Sequence, residues 1–302
     1  MKETMRQTTT TGSLAEEGWE KIVFSEALKS DVEALFFDVC NYLLVLVKDD
    51  SRFDESAQRL LRKAVKDRDA VAAERHLQTI TLELNAKDRK LLGKLYDLGT
   101  RPMRLMSGMR LFFNPQIQQI VERFFDYSEA PSILVRPFNG ETLHVFPPGE
   151  ENYRYNLPVH QDFPYLLQSE KQLTFWLNLT DNLNGEAGGV RIYPRTHKLG
   201  LPKTTKNAFG HYEVAIEHYP DFDQNDHVES ASGMFELYAI DSLTWHSSVP
   251  SISKDSTRLT YIFRVSDIGT PDRIPYGADR SHPQGKRFED LYPELYIEPA
   301  TR

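Results

Sequence analysis

In the first part of the chain, apolar positions recur at helical spacing. Val32, Leu35, Phe36, Val39, Leu43, Leu46 and Val47 fall three and four residues apart and define one stripe. Ser30-Asp31-Val32-Glu33 has the form of a capping box, a hydroxyl for an orphan N–H and a carboxylate three residues on. A second helical region, about Glu55 to Leu84, is rich in Ala, Leu, Arg, Lys and Glu. Asn114-Pro115 predicts another helix start, with asparagine as N-cap and proline in the first turn. Ile117, Ile120, Val121 and Phe124 form its expected buried stripe.

After Ala130 the period changes to two. Leu173, Phe175, Leu177 and Leu179 alternate with Thr174, Trp176, Asn178 and Thr180, the pattern of a half-buried strand. Ser132–Val135, Thr142–Phe146, Val190–Tyr193, Met234–Ile240 and Thr257–Val265 are further β-prone runs. Many short strands with Gly, Pro and Asn between them predict a sandwich or barrel, the double-sheet jelly roll among them. The polar, aromatic stretch Leu201–Ser232 interrupts this rhythm, and loops of that length are commonly functional. Phe209, Tyr212, Tyr219 and Phe222, with Gly200, Gly210 and Gly233 as pivots, predict a lid. The expected organisation is a mainly helical region over residues 1–130, a β-core over 131–267 carrying the lid-like insertion 201–232, and a C-terminal wrap over 268–302.

Composition narrows the function. A chain of 302 residues with 40% hydrophobic and 26% charged positions can bury a sizeable core and is not disordered throughout. A net charge of −8 offers no footprint for a phosphate backbone, so no nucleic-acid partner is expected. The single cysteine, Cys40, falls on the helical stripe and excludes both a disulfide framework and a Cys-rich zinc site. The most apolar run, Val32–Val47, contains Glu33, Asp38 and Asn41 and is too short and polar to cross a bilayer. Met1–Thr11 has no apolar core of a secretory signal. A cytoplasmic protein with a small-molecule substrate and no membrane partner is the expectation.

The first chemical constellation is His160-Gln161-Asp162. In extended chain, residues i and i+2 share a face, so imidazole and carboxylate would converge as two metal ligands must. Alone, the triplet also fits a surface turn. His246, 84 residues after Asp162 and just beyond the apolar run ending at Ile240, changes the weighing. Two histidines and one carboxylate are the facial triad of non-haem Fe(II) oxygenases, which leaves open positions for a bidentate co-substrate and O2. Arg258 opens the run Thr257–Val265 and shares a face with Thr260 and Ile262. A guanidinium facing inward is costly unless it meets an anion, and it grips a carboxylate bidentately. His144 is a further pocket candidate, whereas His197 reads as structural. His211, His218 and His227 read as solvated or lid residues, and the charged run Arg59–Arg75 as a solvated helix face.

Taken in order, Val159-His160-Gln161-Asp162, Thr174-Phe175-Trp176-Leu177, the segment Gly188 to Gly200, His246-Ser247-Ser248 and Arg258 resemble the phytanoyl-CoA hydroxylase (phytanoyl-CoA dioxygenase) family of Fe(II)/2-oxoglutarate dioxygenases. The resemblance covers about Ile133 to Ser266. It implies an α+β protein whose core is a double-stranded β-helix (jelly roll, cupin-like), with the helical N-terminal region packed on it. It implies iron ligation by His160, Asp162 and His246 and capture of the distal carboxylate of 2-oxoglutarate by Arg258. Ser248 matches a position that contacts the co-substrate, and Trp176 an aromatic lining the pocket. The cofactor set would be Fe(II), with 2-oxoglutarate and O2 as co-substrates, and the reaction hydroxylation of a C–H bond with release of succinate and CO2. The presence of Asp162 argues against halogenation, because halogenases of this kind lack the carboxylate. One departure is Arg195, which stands where relatives have glycine in a Pro-Gly-Ser-His segment. Two rivals share the ligands: a cupin-like metal-dependent isomerase or hydrolase needing no 2-oxoglutarate, and a degenerate jelly-roll binding protein.

Overall fold

The computed structural model describes residues 12–95, 107–125, 134–135, 142–148, 156–167, 169–182, 185–230, 233–267 and 287–299. The N-terminal segment runs through β1 (Gly12–Ser13), α1 (Leu14–Glu17) and β2 (Trp19–Ile22) into the long helix α2 (Glu26–Leu46). Ser25, not Ser30, caps α2: its hydroxyl accepts from Leu28 N at 3.3 Å, and Ser30 lies inside the helix. The capping-box reading fails because Ala27, Leu28 and Lys29 are good helix formers and let the helix begin a turn earlier. The region expected as one helix from Glu55 to Leu84 is two, α3 (Glu55–Asp67) and α4 (Ala70–Lys87). Arg68 takes a left-handed conformation between them, φ 58°, and Asp69 caps α4 by accepting from Ala72 N at 3.0 Å. A helical segment α5 (89–95) follows, then α6 (Ser107–Phe112) and α7 (Pro115–Phe125). Asn114 caps α7 as expected, its Oδ1 accepting from Gln116 N at 3.0 Å. Phe125, rather than Phe124, completes the buried stripe of α7. Residues 126–130, the end of the expected helical region, lie outside the described residues. Among the described residues no helix is long and apolar enough to cross a membrane.

The strands are β3 (Leu134–Val135), β4 (Thr142–Phe146), β5 (Gln172–Asn178), β6 (Gly189–Ile192), β7 (Thr204–Lys206), β8 (Tyr212–Val214), β9 (Val228–Glu229), β10 (Glu236–Asp241), β11 (His246–Val249) and β12 (Arg258–Asp267). Residues 132–133 of the first expected run lie outside the described residues. The protein is α+β with antiparallel sheets. The large sheet has the order β1-β2-β10-β5-β12, and β4 and β3 share the far edge of β12. A three-stranded sheet, β11-β6-β9, and the hairpin β7-β8 complete the strands.

Strand β5 is buried along its whole length, not half-buried as its alternation suggested. Alternation separates two buried faces. Phe175, Leu177, Leu237, Ala239, Leu259, Tyr261 and Phe263 join α2, α3, α4 and α7 in one continuous core. Trp176, Tyr238, Ile240 and Ile262 turn the other way, onto Val190 and Ile192 of the smaller sheet. The N-terminal region, read as mainly helical, also supplies β2, which pairs with β10 and brings Trp19 onto this second face.

The segment 201–232 is largely woven into the fold. β7 and β8 form its hairpin, Val214 N donates to Val159 O at 2.8 Å, and β9 pairs with β6. Tyr219 and Phe222 pack edge-on against Trp245, with centroids 4.9 and 4.8 Å away, while Phe209 is largely exposed. After β12, residues 268–286 of the expected wrap lie outside the described residues. The following helix α9 (Phe288–Leu291) packs Phe288 on Tyr212, and Leu295 O accepts from Thr204 N at 2.8 Å.

Candidate metal centre

His160 and His246 face each other as an antiparallel bridge. Each backbone N–H donates to the other residue's carbonyl, at 2.9 and 3.0 Å, so both side chains leave the same face. Their ring centroids are 4.2 Å apart. Each ring meets a backbone carbonyl two residues before it: with its proton on Nδ1, His160 donates to Pro158 O at 2.7 Å and His246 to Thr244 O at 2.9 Å. That tautomer leaves both Nε2 lone pairs free to bind a metal. Asp162, two residues beyond His160 and just ahead of the short helix α8 (Phe163–Leu166), adds the carboxylate. One oxygen, Oδ1, lies 3.8 Å from His246 Nε2. All three side chains are buried, and a ligand atom from each lies within 4.8 Å of the others.

The electrostatics suit a divalent cation. Burial, reinforced by His246, pushes His160 down to about 3, so the ring is neutral and available as a donor near pH 7. Burial alone would raise the Asp162 carboxyl, but the Arg264 guanidinium and the two histidines hold it well below the usual carboxylate range. Two imidazoles and one carboxylate, with an open side, fit a non-haem iron site.

Arg258 opens on the same space. A cavity of about 80 Å³ lies between the triad, Arg258, Trp176 and Ser248. The Arg258 guanidinium is buried, sits 4.1 Å over the Phe146 ring, and has no hydrogen-bond partner on Nε or Nη1 among the described residues. Burial lowers its pKa to about 9, so it stays charged at neutral pH. An orphaned buried fork of this kind is complementary to an incoming carboxylate. Trp176 forms a wall, its ring centroid 6.0 Å from the Arg258 guanidinium carbon. Ser248 lines the cavity too, and its hydroxyl accepts from Leu157 N at 3.0 Å, pinning the segment that leads to His160.

Three further residues line the site without having been assigned to the metal centre from the sequence. Arg264 forms a bidentate pair with Asp162, and Thr174 donates to the same carboxylate at 2.6 Å. Both were reachable by parity, since Arg264 lies six residues after Arg258 on β12 and Thr174 two before Trp176 on β5. His144, the pocket candidate, does line the cavity. Burial, then Arg264 and Arg258, push it down to about 3. His197 is structural in its contacts, Nε2 reaching Ala15 O at 3.3 Å. His227 pairs with Glu229 at 3.4 Å, and His218 is exposed. Arg195 adopts φ 68°, the left-handed conformation that glycine takes without strain, and is tied to Asp226 at 2.6 Å and Glu17 at 3.4 Å.

A family model described as phytanoyl-CoA dioxygenase (PhyH) matches residues 3–259. Among solved structures, an apo form of ThoJ, a non-heme monooxygenase, is 16% identical with a TM-score of 0.47, over 84% of this chain and 75% of that one. SnoK, a non-heme alpha ketoglutarate dependent carbocyclase from nogalamycin biosynthesis, is 17% identical with a TM-score of 0.44, over 84% and 81%. AviO1 from Streptomyces viridochromogenes Tue57 is 15% identical with a TM-score of 0.39, over 92% and 100%. No curated protein matches the sequence.

Proposed function

Because the chain belongs to the phytanoyl-CoA dioxygenase family of non-haem iron, 2-oxoglutarate-dependent enzymes, we propose that it hydroxylates an unactivated C–H bond of a small organic metabolite. The overall balance is substrate R–H, 2-oxoglutarate and O2 giving R–OH, succinate and CO2. The observation that carries this reading is the opening of the His160–Asp162–His246 triad and the orphaned Arg258 guanidinium onto one cavity. We read the two antiparallel sheets as the halves of a double-stranded β-helix. Residues 131–267 would form that core, 1–130 its helical cover and 268–302 a wrap.

Iron(II), when bound, supplies the place where 2-oxoglutarate and O2 react and from which one oxygen atom passes to the substrate. His160 and His246 would offer Nε2 and Asp162 a carboxylate oxygen. Arg258 would take the distal carboxylate of 2-oxoglutarate in its free fork, fixing the orientation of the keto acid end. Ser248, whose oxygen accepts from Leu157 N, would line the space taken by the co-substrate. Trp176, Val190, Ile240 and Ile262 keep the chamber dry. The lid role expected of 201–232 would fall to Phe209, which is largely exposed, rather than to Tyr219 and Phe222, which are packed on Trp245.

The test is succinate release from 2-oxoglutarate in air. It should require Fe(II), stop on chelation, and need a much higher 2-oxoglutarate concentration in Arg258→Ala. Metal binding without any 2-oxoglutarate turnover would replace this reading with a cupin-like isomerase or hydrolase.

A further inference from the structure

The carboxylate of Asp162 is occupied unevenly. An ionised carboxylate offers about four lone-pair positions, two on each oxygen. Oδ2 receives Thr174 Oγ1 at 2.6 Å and Arg264 Nε at 3.1 Å, which fills it. Oδ1 receives Arg264 Nη2 at 3.0 Å, and its remaining position is on the oxygen that stands 3.8 Å from His246 Nε2. Among the described residues only one of the four positions is therefore open, on the oxygen that faces His246 Nε2.

We propose that Arg264, supported by Thr174, is a positioning residue that makes Asp162 a one-oxygen metal ligand. The inference rests on the metal-centre reading above and specifies how that centre is kept open. A carboxylate free of such a grip can chelate a divalent cation with both oxygens, as Asp and Glu do at cation sites. Here that would consume a position needed by the keto acid end of 2-oxoglutarate. A rigid planar fork suits the task, because guanidinium holds both oxygens in one plane, whereas an ammonium is a rotating point charge. The strand supplies the geometry: Arg258 and Arg264 leave the same face of β12, one gripping the protein's carboxylate and the other lying open for the co-substrate's. Arg264 also sets a positive charge beside the cation's ligand, which opposes cation binding rather than assisting it.

These two effects move two affinities in different directions, which a merely structural salt bridge would not do. In Arg264→Met, Mn(II) binding to the metal-free protein, followed by the electron paramagnetic resonance of free Mn(II), should be as tight as in the parent or tighter. Binding of 2-oxoglutarate to the Mn(II)-loaded variant, measured by calorimetry, should weaken tenfold or more. Thr174→Val, which removes one donor from Oδ2, should show the same pattern at about threefold. Arg264→Lys should fall between them, and it carries the comparison if the methionine variant does not fold. Parallel weakening of Mn(II) and 2-oxoglutarate, or unchanged 2-oxoglutarate affinity, would overturn the proposal while leaving the metal centre intact. Undiminished Mn(II) affinity in Asp162→Ala would overturn the metal-centre reading and the proposal with it.

Discussion

Strands β5 and β12 send Leu173, Phe175, Leu177, Leu259, Tyr261 and Phe263 to one face of the large sheet, and Thr174, Trp176, Arg258 and Arg264 to the other. Both faces are buried. The helical face is close-packed aliphatic and aromatic carbon, with Phe175 and Phe263 stacked at 4.7 Å. Each fully buried side chain of that kind contributes roughly 1.5–3 kcal/mol. The cavity face carries two guanidiniums, one paired with Asp162 and one with two nitrogens unpartnered among the described residues, an arrangement that costs stability in the metal-free protein. The contrast shows how one sheet can tolerate an active site: stability comes from one side and offsets the polar groups held ready on the other.

The sharpest way to break that division is at the triad. His160→Ala, Asp162→Ala or His246→Ala should abolish Fe(II)-dependent succinate formation and leave a folded protein, because none contributes to the helical-side core. Circular dichroism paired with the turnover assay checks both halves, and full activity in any one variant would remove it from the ligand set.

Leu177→Ala should do the reverse. Leu177 is fully buried on the helical face, so its truncation should cost about 2–5 kcal/mol in denaturant unfolding. The affinity for 2-oxoglutarate should stay within about twofold of the parent, and a loss as large as that of a cavity variant would show that the two faces are coupled.

Arg258→Ala should weaken 2-oxoglutarate binding by about 1.5–3 kcal/mol, at least tenfold, through loss of a buried charge-assisted bidentate contact. The metal-free variant should unfold no earlier than the parent, because an unpartnered buried charge is removed. Unchanged 2-oxoglutarate affinity would return Arg258 to a structural role.

The smallest effect concerns pH. His144 titrates near 6.5 when unfolded and is pushed down to about 3 in the folded protein. In that window the unfolded chain binds the proton and the folded one does not, so stability is intact above 6.5 and falls as pH drops towards 3. The slope is at most about 1.4 kcal/mol per pH unit for this one group, less for the part of the ring that reaches the cavity. His144→Phe should flatten the acid limb of a stability-versus-pH profile of the metal-free protein. An unaltered limb would mean that His144 is solvated.

Local chemistry in the chain determined more than the helices. The i, i+2 spacing of His160 and Asp162 sets them on one face, the parity of β12 places Arg258 inward, and Asn114-Pro115 starts α7 as its residues dictate. Periodicity reports only which way a side chain points, however, and not what covers it. That is why β5 read as half-buried and why the aromatic residues Tyr219 and Phe222 read as a lid although Trp245 receives them. Tertiary structure alone decided that His246 pairs with His160, that Trp19 enters the sheet, and that of two arginines on one strand Arg264 meets Asp162 while Arg258 stays open. The reason is physical. Caps, turns and alternation act within a few residues, whereas pairing and charge neutralisation act between segments that only the folded chain brings together.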